Sequence, residues 1–223
     1  MRLNYRKTFL IGFGFMASML AWSLYNSFVP LMLKERYIAS TALIGLIMTI
    51  DNIFGVVFQP LVGQLSDRTH SRFGRRMPYI LIGVPVCSLL FVLIPLTRSL
   101  ATMMAVVILF NLLMSVWRSP VVALMPDMTP PALRSKANGV INLMGGVGSI
   151  IAFVSGGMLV NRFGYNLPFL IGAIVMILAV IILFIFLKEP DSRKLARRFE
   201  LREMSLKEQL PAVTKAEKGI RHL

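Results

Sequence analysis

The sequence predicts an all-α membrane protein of six transmembrane helices, and three observations predict it. Of its 223 residues, 56% are hydrophobic and only 15% charged, where a soluble domain carries about a quarter charged. Six apolar runs follow one another, each near the roughly 20 residues that a bilayer crossing needs. The charge gathers in the short breaks between them and in the tail. Runs this long and continuous exclude a soluble core. They also exclude a membrane barrel, whose strands would alternate polar and apolar.

The first run, 8–33, follows a basic head in MRLNYRKTFLIGFGF. It outlasts the apolar stretch of a signal peptide, and no small-x-small cleavage site ends it. It is therefore expected to stay as a spanning helix. The second run, 40–64, carries Asp51 and leads into the charged stretch GQLSDRTHSRFGRR, 63–76. The third, 78–97, holds the single cysteine, Cys87, which has no internal disulfide partner and is expected to fill space. The fourth, 101–126, carries Arg118. The fifth, 138–161, contains Gly145, Gly146, Gly148, Gly156 and Gly157. Inside a span, such glycines suit close helix packing better than a phosphate cradle. The sixth is 167–187. These six runs form one domain, 1–187. Residues 188–223 are a polar linker in which Leu195, Phe199, Leu206 and Leu210 make a ragged apolar stripe. That stripe is expected to form a helix lying on anionic headgroups.

The net charge is +14, but no basic patch with interleaved aromatics points to nucleic acid. The placement of the charge sets orientation instead. Nineteen of the 24 Lys and Arg fall on one side, in the N-terminus, the 65–77 and 127–137 loops and the tail. Four fall on the other side: Lys34, Arg36, Arg98 and Arg162. The positive-inside rule then puts both ends in the cytoplasm of a multi-pass plasma-membrane protein.

An internal echo runs through the chain. GQLSDR (63–68) meets GMLVNR (157–162), and RFGRRMPY (72–79) meets RFGYNLPF (162–169). Helices one to three and four to six would then be two copies. An odd number of helices per copy inverts the second, so its loop lies outside and sheds charge: Asp67 becomes Asn161, and Arg75-Arg76 become Tyr165-Asn166.

The run Gly63-x-Leu65-x-Asp67-Arg68-x-x-x-Arg72-x-Gly74-Arg75-Arg76 resembles the signature between helices two and three of the major facilitator superfamily. QPLVG (59–63), SDR (66–68), SRFGRRMPY (71–79), Trp117-Arg118-Ser119-Pro120, Asp127 and RSKANG (134–139) look like its sucrose-transporter-like branch, related to the glycoside–pentoside–hexuronide cation symporters. The resemblance covers roughly residues 8–190. It implies the N-terminal half of a 3+3 inverted-repeat fold. It also implies a gating loop built from Gly63, Asp67, Arg68, Arg72, Gly74, Arg75 and Arg76. In the family this loop latches against the other half in one conformation. That second half, or a second copy of this chain, is the expected partner.

Ionisable groups inside a span are costly and therefore suspect. Asp51 is the only acid well inside a predicted span and Arg118 the only base. A carboxyl group near mid-membrane can take up and release a proton, as a proton-coupled carrier requires. The resemblance associates the helix-four arginine with substrate or coupling. Asp51 and Arg118 are thus the expected proton-coupling pair. Trp22, Tyr25 and Asn26, at i, i+3 and i+4, supply an aromatic face and an amide for stacking and hydrogen-bonding a sugar. Asn52 and Gln59, seven residues apart, are further substrate-binding candidates, with Asn111 and Asn142 behind them.

Sodium-coupled relatives of the glycoside branch carry acids in helix two near a Pro-x-x-Gly. Gly55 and Gln59 stand there in this chain, so the expected coupling ion is H+. No cofactor and no metal site are expected, because no HExxH, paired cysteines or nucleophile–base set is visible. The expected function is proton-coupled symport of a disaccharide or other glycoside. One alternative is an inactive half-transporter. The other is a proton-driven drug antiporter, a class with a glycine–proline signature in helix five that GGVGSIIAFVSGG (145–157) lacks.

Overall fold

Six apolar runs become six helices, each long and apolar enough to cross a membrane. The computed structural model describes residues 3–187 and 189, and for residues 50 and 51 the backbone only. The expected stripe in the tail lies outside the described residues.

α1 (Tyr5–Arg36) begins where Asn4 Oδ1 accepts the Lys7 amide at 3.2 Å. This answers one of the amides that a helix start leaves without a partner. α2 (Thr41–Arg68) begins on Ser40, whose hydroxyl accepts the Leu43 amide. α3 (Met77–Leu93) carries Pro78 in its first turn, where no amide is needed. α4 (Leu100–Met128) opens on a reciprocal cap between Ser99 and Thr102. It stops at Thr129, which precedes Pro130 and is extended, with φ −123° and ψ 128°. α5 (Arg134–Phe163) follows a short turn, and α6 (Asn166–Phe186) closes the bundle.

Several boundaries differ from the sequence expectation for physical reasons. The third span was expected as one helix over 78–97, but residues Ile94–Leu96 wind as a 3-10 turn. Pro95 lacks the N–H that would continue the α ladder, and its ring crowds the carbonyl four residues back. The ends of α1, α4 and α5 reach past the apolar runs, through Arg36, Asp127 and Arg134. Hydropathy marks a break at the water edge, whereas backbone hydrogen bonding does not.

α1 is central and touches α2, α4, α5 and α6, most extensively α5. There Ser23 Oγ donates to Ser149 Oγ at 2.9 Å, and a methyl on Gly148 would strike the Met16 carbonyl oxygen. Gly145 and Gly156 also face α1 side chains, but Gly146 and Gly157 face open space. Adjacent helical residues point in different directions, so not all five glycines can serve one contact. Val56, Ile82, Leu143 and Ile181 stand on the exterior, an apolar surface suited to hydrocarbon.

The internal echo has a backbone counterpart. Gly74 (φ 105°) and Gly164 (φ 72°), the glycines of the two RFG copies, are the described residues with positive φ. A Cβ is disfavoured in that region, and glycine makes it accessible. Each leads directly into the following helix, α3 or α6.

Candidate transport site and charged loop

Arg118 lies well inside α4, and its side chain turns towards α1. Its Cζ stands 5.5 Å from the centroid of the Trp22 ring, and Nη2 is 3.6 Å from Met19 Sδ. Among the described residues its buried Nε has no hydrogen-bond acceptor. A guanidinium over an indole face gains roughly 0.5–2 kcal/mol, far less than hydration of the ion would supply. Among the described residues no carboxylate lies within 4 Å of Arg118.

Behind Trp22 an aromatic column crosses the bundle. Ring centroids are 5.8 Å apart for Trp22–Tyr25, 5.3 Å for Tyr25–Phe110, 5.2 Å for Phe110–Phe91 and 4.6 Å for Phe91–Phe169. It joins α1, α4, α3 and α6, each pair adding about 0.5–1.5 kcal/mol beyond burial. Asn111 Nδ2 donates to the Tyr25 hydroxyl at 3.0 Å and to the Val107 carbonyl at 3.0 Å.

The expected sugar face therefore divides. Trp22 is half-buried beside Arg118, Tyr25 is 0% exposed within the column, and Asn26 is exposed. Positions i+3 and i+4 stand about 100° apart around the helix, enough to separate core from surface. Asn52 is exposed, and Gln59 is half-buried with its backbone carbonyl accepting from Ser119 Oγ at 2.8 Å. Asn142 is exposed on α5, donating to Asn138 Oδ1 at 3.0 Å. Asp51 sits in α2, and its side chain lies outside the described residues. Spacing could have found Met19, three residues before Trp22.

The charged loop forms around Arg76, whose side chain is only 5% exposed. Nε donates to Asp127 Oδ2 at 3.0 Å, Nη1 to the Gly63 carbonyl at 3.2 Å and to Ser66 Oγ, and Nη2 to Asp67 Oδ1. One guanidinium thus ties the ends of α2, α3 and α4, using its fixed fork of donors. Arg75 adds a longer contact to Asp127, 3.4 Å. Gly63 lets α2 pass close to Ser119 of α4. Asp67, at the end of α2, pairs with Arg76. The N-terminus of α3 is taken by Glu189, which accepts from the amides of Arg75 (2.9 Å), Arg76 (3.0 Å) and Met77 (3.2 Å). A carboxylate is favoured there by the helix dipole and unpaired amides. No local pattern marks Glu189, because more than a hundred residues separate it from its partners. Arg68 and Arg72 remain exposed, with Arg72 Cζ 4.9 Å from the Phe73 ring centroid.

At the other end of the bundle, Tyr165 Oη donates to Glu35 Oε2 at 2.8 Å, and Arg36 lies over the Tyr165 ring. Burial, then the Glu35 contact, push the Tyr165 phenol up to about 12. Arg36 Nη1 also donates to the Pro95 carbonyl at 2.8 Å. The Arg75-equivalent position of the second copy thus serves a different contact.

A family model described as Major Facilitator Superfamily matches residues 11–221. The chain belongs to that superfamily of membrane transporters, and its six helices form the N-terminal half of the fold. A sucrose transport protein of Arabidopsis thaliana is 31% identical over 126 residues, covering 47% of this chain and 21% of its own length. An isoprimeverose transporter of Lactiplantibacillus pentosus is 24% identical over 193 residues, covering 78% and 39%. A proton-associated sugar transporter of Homo sapiens is 30% identical over 139 residues, covering 56% and 19%. The matched regions span less than two fifths of each of these relatives.

Proposed function

We propose that this chain forms one half of a secondary transporter that carries a disaccharide or other glycoside together with a proton. The observation that carries the proposal is the Arg118 guanidinium, lying over Trp22 within the bundle with an Nε–H that has no acceptor among the described residues. An indole face stacks on the apolar face of a sugar ring, while guanidinium N–H groups donate to its hydroxyls. The similarity to sugar transporters favours the same substrate class.

In this mechanism Asp51 takes up the proton and Arg118 couples its charge state to sugar. Tyr25 holds the Trp22 ring from behind, and Asn52 and Gln59 border the path on α2. The half would rock against its second half, or against another copy, around this site. The Arg76 cluster keeps the ends of α2, α3 and α4 rigid during that motion. Arg68 and the open side of Asp67 are left at the surface to meet the partner as a latch. Both ends of the chain lie in the cytoplasm, on the side that carries most of the Lys and Arg.

The test uses membrane vesicles containing the carrier of which this chain is part. Addition of sucrose or another disaccharide is expected to drive proton entry, seen as alkalinisation of the medium. Asp51→Asn is expected to abolish the pH change. Undiminished alkalinisation by that variant removes Asp51 from the mechanism, and a parent that binds no glycoside overturns the substrate class.

A further inference from the structure

The start of α3 and the end of α6 enclose a cavity of about 280 Å3, lined by Arg72, Phe73, Met77, Phe184, Leu187 and Glu189. We propose that it is a binding site for one anionic phospholipid, with Arg72 on the lipid phosphate and the two phenylalanines against its acyl chains.

The cavity combines a cation with an apolar wall. Phe73 and Phe184 are 43% and 44% exposed, and their ring centroids lie 5.9 Å apart. Arg72 is exposed and stands over Phe73. The Glu189 carboxylate also lines the cavity, where it accepts three backbone amides of α3. Among the described residues no carboxylate lies within 4 Å of Arg72. A guanidinium offers paired donors to phosphate oxygens, and it sheds water more readily than an ammonium.

Position and size agree with a lipid. The cavity lies where α6 ends and α3 begins, at the edge of the spans and so at headgroup depth. On the orientation proposed above, this is the leaflet whose anionic lipids attract basic segments. A volume of 280 Å3 falls just below the range of roughly 300–1,000 Å3 for drug-sized ligands. It therefore holds a headgroup and the first part of the chains, and the rest lies along α3 and α6. Residues 190–223 are the other candidate occupant. They carry nine Lys and Arg against five acids, the wrong sign to meet Arg72.

The experiment is native mass spectrometry of the full chain with phosphatidylglycerol or phosphatidylcholine. Selective retention of one phosphatidylglycerol is expected. Arg72→Gln should weaken it about tenfold, the equivalent of one charge-assisted hydrogen bond. Phe184→Ala should weaken both lipids, and Arg98→Gln, at the far end of the bundle, neither. An unchanged melting temperature for Arg72→Gln shows that the variant folds. Equal retention of phosphatidylglycerol by parent and Arg72→Gln overturns the site. So does displacement of the lipid by millimolar inorganic phosphate, which would mark a free-anion site.

Discussion

The Glu189 carboxylate accepts the backbone amide of Arg76 at 3.0 Å, while the Arg76 side chain holds Asp67 and Asp127. One residue thus serves as a capped helix start through its backbone and as an electrostatic hub through its side chain. Glu189 follows α6 directly, so its contact fastens the end of the sixth helix to the start of the third.

Removing that cap should loosen this end of the bundle. Glu189→Ala is expected to cost about 1–2 kcal/mol, as loss of a side-chain cap does elsewhere. Glu189→Gln, which keeps an acceptor but no charge, should cost less. Thermal unfolding in detergent ranks the three proteins. A Glu189→Ala protein as stable as the parent removes the cap from the account.

The two adjacent arginines should behave differently. Arg76→Ala leaves Asp127 with only the longer Arg75 contact in a largely buried cluster, and about 3 kcal/mol is expected. The side chain of Arg75 is 40% exposed, and its single 3.4 Å contact should be worth at most about 1 kcal/mol. Equal losses from Arg75→Ala and Arg76→Ala in denaturant unfolding would contradict the hub.

Trp22 should report on the Arg118 site. With Trp117→Phe leaving it as the single tryptophan, glycoside binding is expected to change its fluorescence. Arg118→Lys keeps the charge but loses the planar fork, and should weaken binding by about 1–2 kcal/mol. An identical titration for Arg118→Lys would mean that the fork contributes nothing to binding.

Close packing of α1 on α5 should be sensitive at Gly148 and tolerant at Gly146. Gly148→Ala places its methyl on the Met16 backbone, and overpacking of this kind costs about 1–3 kcal/mol. Gly146→Ala meets open space, and should be neutral or slightly stabilising through helix propensity. Melting temperatures of the two variants decide the matter.

Tyr165 should deprotonate only near pH 12, later than an ordinary tyrosine. Its folded value is raised, so its contribution to stability is complete below about pH 10 and fades as pH climbs towards 12. A difference absorption titration of the parent against Tyr165→Phe reads this directly. Loss of a tyrosine signal at pH 10 would show that the Glu35 contact is not held.

The sequence by itself determined six spans, their order and their pairing into two copies. Apolar length and turn glycines are local properties, and lipid leaves a backbone no alternative to internal hydrogen bonding. It also singled out Arg118 and Trp22, since a charge inside a span stands out against its neighbours. What only the tertiary structure decided was who meets whom. Trp22, Tyr25 and Asn26 look alike by spacing, yet the packing of α4 buries Tyr25 and leaves Asn26 exposed. Arg68, Arg72, Arg75 and Arg76 look alike by charge, yet Arg76 alone is enclosed, because α2, α4 and Glu189 converge on its place at the start of α3. Contacts between residues fifty to more than a hundred positions apart depend on helix rotation and tilt, which no local run of residues encodes.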